Sequence, residues 1–135
     1  MDNNVMITIK ADEVKSLLLD YYKNIYPNEI KAIEIISNKE ATGLYEIPSL
    51  ISKVKLIRNI KIGKYTATSE EIISNQDIQQ IIGLNLEDNN YQVEKVIMVT
   101  KSRLEGYYEH EEIYFDGIEV YLKPLEKQRQ ICKHI

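Results

Sequence analysis

The sequence predicts a single α+β domain in which two helices cover one face of a largely antiparallel sheet. Three observations predict it. A length of 135 residues suits one domain, whose core closes without a metal or disulfides. Short β-branched runs are interleaved with two stretches of helical periodicity. A helix–strand–strand pattern also occurs twice along the chain.

Val5-Met6-Ile7-Thr8-Ile9-Lys10 alternates and reads as a strand with Val5, Ile7 and Ile9 inward. From Asp12 to Tyr26, the residues Val14, Leu17, Leu18, Tyr21, Tyr22 and Ile25 recur at helical spacing. Asp12 and Glu13 suit a first turn, and Pro27 ends the helix. Ile30 to Ser37 is a β-branched strand, and Asn38 to Ser49 a loop around Gly43 and Pro48. Ile51 to Ile62 is a long strand that Gly63 ends or bends, with pairing resuming through Thr66. Thr68-Ser69-Glu70-Glu71 predicts a helix capped by Ser69 and running from Glu70 to Leu84, with Ser74-Asn75-Gln76-Asp77 as a weak middle. Tyr91 to Thr100 is a strand whose unbroken Val96-Ile97-Met98-Val99 predicts a central, doubly covered position. Lys101 to Glu111 is a loop, and Glu112 to Leu122 a last strand with a bend at Asp116-Gly117. The domain is expected over residues 1–123, with 124–135 as a C-terminal tail. The order is β-α-β-β-α-β-β, of which the first six elements match a ferredoxin-like arrangement.

A shift of 63 residues lays Ala32-Ile33-Glu34-Ile35-Ile36-Ser37 over Lys95-Val96-Ile97-Met98-Val99-Thr100, and Gly43-Leu44-Tyr45-Glu46 over Gly106-Tyr107-Tyr108-Glu109. The same shift lays Leu18-Leu19 over Ile81-Ile82. This predicts a duplicated αββ unit with a Gly-x-Tyr-Glu loop in each copy. Each loop reads first as a turn, with glycine at positive φ and tyrosine at the core edge, and second as half of a paired recognition surface.

The composition counts 22 Ile and 10 Tyr against one Phe and no Trp, so many aromatic positions suit a site apolar on one side and wet on the other. Cys132, the lone cysteine, excludes an internal disulfide and fits a reducing compartment. No apolar run has membrane-spanning length and no leader-like start is present, so a cytoplasmic protein is expected. A net charge of −4 gives no general attraction to nucleic acid or membrane.

Charge is nonetheless segregated. Between Ile47 and Ser69 there is no acid, and Lys53, Lys55, Arg58, Lys61 and Lys64 are basic. Between Leu104 and Leu122 there is no Lys or Arg, and Glu105, Glu109, Glu111, Glu112, Asp116 and Glu119 are acidic. Cross-sheet pairing accounts for such a pattern, but so do two functional readings. In the first, Glu105, Tyr107, Tyr108, Glu109, Glu111 and Glu112 form an acidic, tyrosine-rich surface that docks on a basic site of a partner protein. In the second, Lys53, Lys55, Arg58 and Lys61 bind the phosphates of a nucleotide or nucleic acid. His110 among carboxylates has neither a metal-ligand spacing nor an activated nucleophile beside it. No glycine-rich phosphate loop occurs. The expectation is therefore a non-enzymatic protein with no cofactor and no metal.

The Glu105-Gly106-Tyr107-Tyr108-Glu109 and Tyr114-Phe115-Asp116-Gly117-Ile118-Glu119-Val120 stretches, with Ile7-Thr8-Ile9-Lys10 and Tyr21-Tyr22-Lys23, resemble short hypothetical proteins of clostridial prophages and plasmids. The resemblance spans the chain to about Lys123 and implies a mobile-element origin. It carries no catalytic residues. Small acidic phage proteins include inhibitors of host defence, anti-CRISPR proteins among them, so the resemblance implies a host partner such as a defence nuclease. A long strand edge is also compatible with a homodimer.

Overall fold

The computed structural model describes residues 5–41, 43–45, 47–86, 90–106 and 110–125. The elements are β1 (Val5–Lys10), α1 (Ala11–Ile25), β2 (Ile30–Glu40), β3 (Ser49–Ile62), β4 (Tyr65–Ile73), α2 (Asn75–Leu86), β5 (Tyr91–Glu105) and β6 (His110–Pro124). The class is α+β. The strands form two antiparallel three-stranded sheets, ordered β1-β6-β5 and β2-β3-β4. The expected single ferredoxin-like sheet is therefore replaced by two sheets, and a sixth strand is present.

That strand, β4, overturns the expected helix start. Gly63 takes φ +63 in a two-residue turn with Lys64, and the chain returns along β3. Glu70 to Ile73 pair with β3, Ile57 opposite Glu70 and Val54 opposite Ile73, so Ser69 caps nothing. The cap is Ser74, whose Oγ accepts the Asp77 N–H at 3.1 Å. Ser74-Asn75-Gln76-Asp77 is a poor helix interior but a good helix beginning. The hairpin strands are also longer than expected, which shortens both loops: β2 reaches Glu40, β5 reaches Glu105 and β6 starts at His110.

The expected central position of Val96–Val99 is corrected as well. β5 is an edge strand, with Ile97 exposed. The central strand of its sheet is β6, where Ile118 and Val120 are fully buried.

α1 buries Val14 and Leu18, one turn apart, and its acidic first turn complements the helix dipole. Pro27 and Asn28, at φ +65, reverse the chain after it. α1 packs on β2 of one sheet, on β1 and β6 of the other, and on α2, which lies on β5. One apolar cluster joins all of these elements.

The molecule repeats itself as β1-α1-β2-β3 and β4-α2-β5-β6, one strand more per half than the sequence echo predicts. The halves exchange their first strands: β1 pairs with β6 and β4 with β3. The two ladders are in equivalent register, Ile9 opposite Ile118 matching Ile73 opposite Val54. Buried residues match in turn. Ile9, Val14, Leu18, Val54 and Leu56 correspond to Ile73, Ile78, Ile82, Ile118 and Val120, each 64 residues on. Ile33 corresponds to Val96, 63 residues on. The one-residue difference between these offsets in the hairpins lies at the β5/β6 bulge. There Val99 pairs with Gly117 and Thr100 with Phe115, leaving Asp116 unopposed. Placing Leu18 opposite Ile82 moves the helix match one residue from the ungapped alignment.

Candidate functional site

The repeat makes the β2/β3 and β5/β6 hairpins equivalent, and their loop ends meet. The Ser52 hydroxyl of β3 lies 2.6 Å from the Ser37 hydroxyl and 2.7 Å from that of Thr100 in β5. Small hydroxyl side chains let the two sheets approach here, and both contacts satisfy the buried Ser52. Nearer the loops, the Lys39 ammonium contacts the Glu111 carboxylate at 2.7 Å, tying the end of β2 to the start of β6.

Beyond this tie several large apolar side chains are exposed. Leu44 is 97% exposed, Tyr45 100% and Ile47 91% in the first loop, and Leu104 is 71% exposed at the end of β5. The sequence pattern marks both loops as turns or as halves of one recognition surface, and its named contact residues fall in the second loop and its flanks alone. The available signal was Leu44, Tyr45 and Ile47 close together in a segment too short to bury them.

The expected acidic surface is partly neutralised. Glu111 is held by Lys39, and Glu112 by its cross-strand neighbour Arg103 at 2.9 Å. The Arg103 guanidinium also lies 5.0 Å from the centre of the Tyr114 ring. Asp116 meets Lys101 at 3.0 Å and Lys10 at 3.9 Å. The hydrogen bond from Lys101, with the charge of Lys10, holds the Asp116 carboxyl below its ordinary pKa. Glu105 ends β5 opposite His110. Tyr107, Tyr108 and Glu109 lie outside the described residues.

The four bases expected to bind phosphate do not form one free face. Lys53 pairs with Glu40 at 3.3 Å, Lys55 with Glu70 at 3.5 Å and Arg58 with Glu29 at 3.6 Å. Arg58 has the opposite strand parity to the lysines and lies against the body, 3.9 Å over the Tyr26 ring. Its buried Nε has no hydrogen-bond partner among the described residues. Lys61, on the outer part of β3, has no carboxylate partner among them.

A cleft of about 310 Å³ opens between the start of α1 and the hairpins, lined by Asp12, Lys15, Ser37 and Tyr114 among others. Its lining holds no histidine or cysteine among the described residues. Among the described residues, no group of three or more His, Cys, Asp or Glu is placed to hold a metal ion. No described helix is long and apolar enough to cross a membrane. Comparison with protein-family models, with curated proteins and with solved structures finds no match.

Proposed function

We propose that this chain is a non-enzymatic binding protein that engages a partner protein through the end where its two Gly-x-Tyr-Glu loops emerge. The observation that carries this reading is the 2.7 Å contact of Lys39 with Glu111, which brings both loops to one end of the molecule. Leu44, Tyr45, Ile47 and Leu104 stand exposed in and beside these loops, and the Lys39–Glu111 and Arg103–Glu112 pairs lie on the strands that lead to them. Apolar groups surrounded by polar ones are the usual build of a protein interface, and tyrosine is a frequent anchor within one. Glu111 and Glu112, each paired with a base, flank this end, and the sequence adds Glu105, Tyr107, Tyr108 and Glu109 as proposed contact residues.

The prophage resemblance makes a host protein the proposed partner and inhibition of a defence nuclease, in the manner of an anti-CRISPR protein, the proposed outcome. The lone Cys132 favours the cytoplasm as the place of action. Phosphate binding along the whole basic strand is the weaker reading, because carboxylates already match Lys53, Lys55 and Arg58.

The test is affinity capture from host lysate with the wild-type chain and with a Tyr45→Ala/Tyr107→Ala/Tyr108→Ala variant of unchanged circular dichroism. A specific protein retained by the first and lost by the second is expected. Capture that the triple change leaves intact rules out this surface.

A further inference from the structure

β2 begins at Ile30, opposite Arg58, and the Glu29 carbonyl just before it accepts the Asn59 N–H at 2.7 Å, so from Ile60 outward β3 pairs with β4 alone. Residues 60–67 form a two-stranded ribbon closed by Gly63-Lys64, with the Asn59–Thr68 pair at its root, and no residue from Asn59 to Ile72 is buried. The three residues Ile60 to Ile62, at roughly 3.3 Å each, carry the ribbon about 10 Å beyond the body. One face presents the pairs Asn59–Thr68 and Lys61–Thr66, and the other presents Ile60–Ala67 and Ile62–Tyr65. Lys53, Lys55 and Arg58 nearer the body have carboxylate partners, while Lys61 and Lys64 have none among the described residues. Lys64 sits 5.4 Å over the Tyr65 ring. Glu29, Glu70 and Glu71 lie at the root of the ribbon, and residues 59–68 contain no acid.

A positive tip on a chain of net charge −4 is complementary to a polyanion. Two such tips repel, which disfavours a second copy of the chain as the occupant. We propose that this arm enters the major groove of duplex DNA. That groove, about 12 Å wide and 8.5 Å deep, admits a two-stranded β-ribbon. An arm of about 10 Å is comparable to that depth, so a ribbon lying in the groove has both the phosphates of its walls and the base edges within reach. Lys61 and Lys64 neutralise phosphates, and Asn59, Thr66 and Thr68 offer donors and acceptors to the groove. This surface is separate from the loop end and does not depend on its partner.

Fluorescence anisotropy of a labelled mixed-sequence DNA duplex at low salt tests the proposal. Saturable binding is expected, with a slope of log K against log salt of about −2 for two released counterions. Lys61→Ser/Lys64→Ser, at exposed positions and with unchanged circular dichroism, should weaken binding by about tenfold or more. A duplex RNA of the same sequence should bind less well, because its major groove is too narrow for the ribbon. Absence of binding, or binding that survives the double substitution, overturns the proposal. Equal affinity for the RNA duplex overturns the major-groove placement. A dimer in sedimentation that Ile62→Ser/Tyr65→Ser dissolves, without DNA binding, assigns the arm to a second copy of the chain instead.

Discussion

Tyr22 sits where α1 meets the second half of the molecule, edge-on to Tyr21 at 5.1 Å and stacked with Tyr26 at 6.5 Å. Burial, then the charges of Asp77 and Glu71, push its phenol up to about 12. The neutral phenol is therefore favoured in the folded chain. Its contribution to stability is fully present below the ordinary tyrosine pKa of about 10 and is lost as pH rises toward 12. An absorbance titration should show a late tyrosine step that Tyr22→Phe removes. Gly117 is the second decisive residue. Its φ is +147, and a Cβ there would overlap the Ile9 carbonyl oxygen and press on the Lys10 Cα. Gly117→Ala should cost on the order of 2–4 kcal/mol in urea unfolding, because backbone of β1 would have to move.

At the scale of elements, α1 was legible because Val14 and Leu18 are spaced as a buried helix face requires and Pro27 ends it locally. The start of α2 was not. Thr68-Ser69-Glu70-Glu71 carries a sound local cap signal, yet pairing with β3 overrides it, and Ser74 takes the role. Ser74→Ala should lower stability by about 1 kcal/mol and Ser69→Ala by far less, measured by thermal unfolding. The Val96–Val99 run misled for a related reason. Burial alternates along this edge strand even though its apolar character does not, Val96 facing the core and Ile97 the solvent, so the unbroken run did not mark a central strand.

At the scale of the molecule, each half lends its first strand to the other half's sheet, so neither sheet belongs to one half alone. In one sheet the exchange passes through the Gly63-Lys64 turn. In the other, the equivalent place holds the two ends of the described chain, Val5 being paired with Leu122. The positions are interchangeable in topology. A circular permutant that joins these ends by a short linker and opens between Gly63 and Lys64 should fold with wild-type circular dichroism and cooperative unfolding. Loss of cooperativity would show that the covalent turn, rather than the ladder, holds the halves together. The loop end follows from the same repeat: equivalent hairpins carry equivalent Gly-x-Tyr-Glu loops, and the echo between Gly43 and Gly106 was visible in the sequence. What it could not display was the burden of exposed apolar area on Leu44, Tyr45 and Ile47, which depends on what lies beside the loop.

The sequence by itself determined the α+β class, α1, β1 and the hairpin strands in outline, and the existence of a repeat. Each is written in periodicity over neighbouring residues, and burial on one face enforces that periodicity wherever the strand or helix ends up. The tertiary structure alone decided that there are two sheets, that the halves exchange strands, and that most of the segregated charge is matched. Glu29 and Arg58, Lys39 and Glu111, and Ile9 and Ile118 are far apart in the chain and meet through the topology. The sequence left open whether the basic strand is matched or free, because its partners are set by register, which local pattern does not encode. Once register is known, the free charge contracts to the arm, where β3 extends beyond β2.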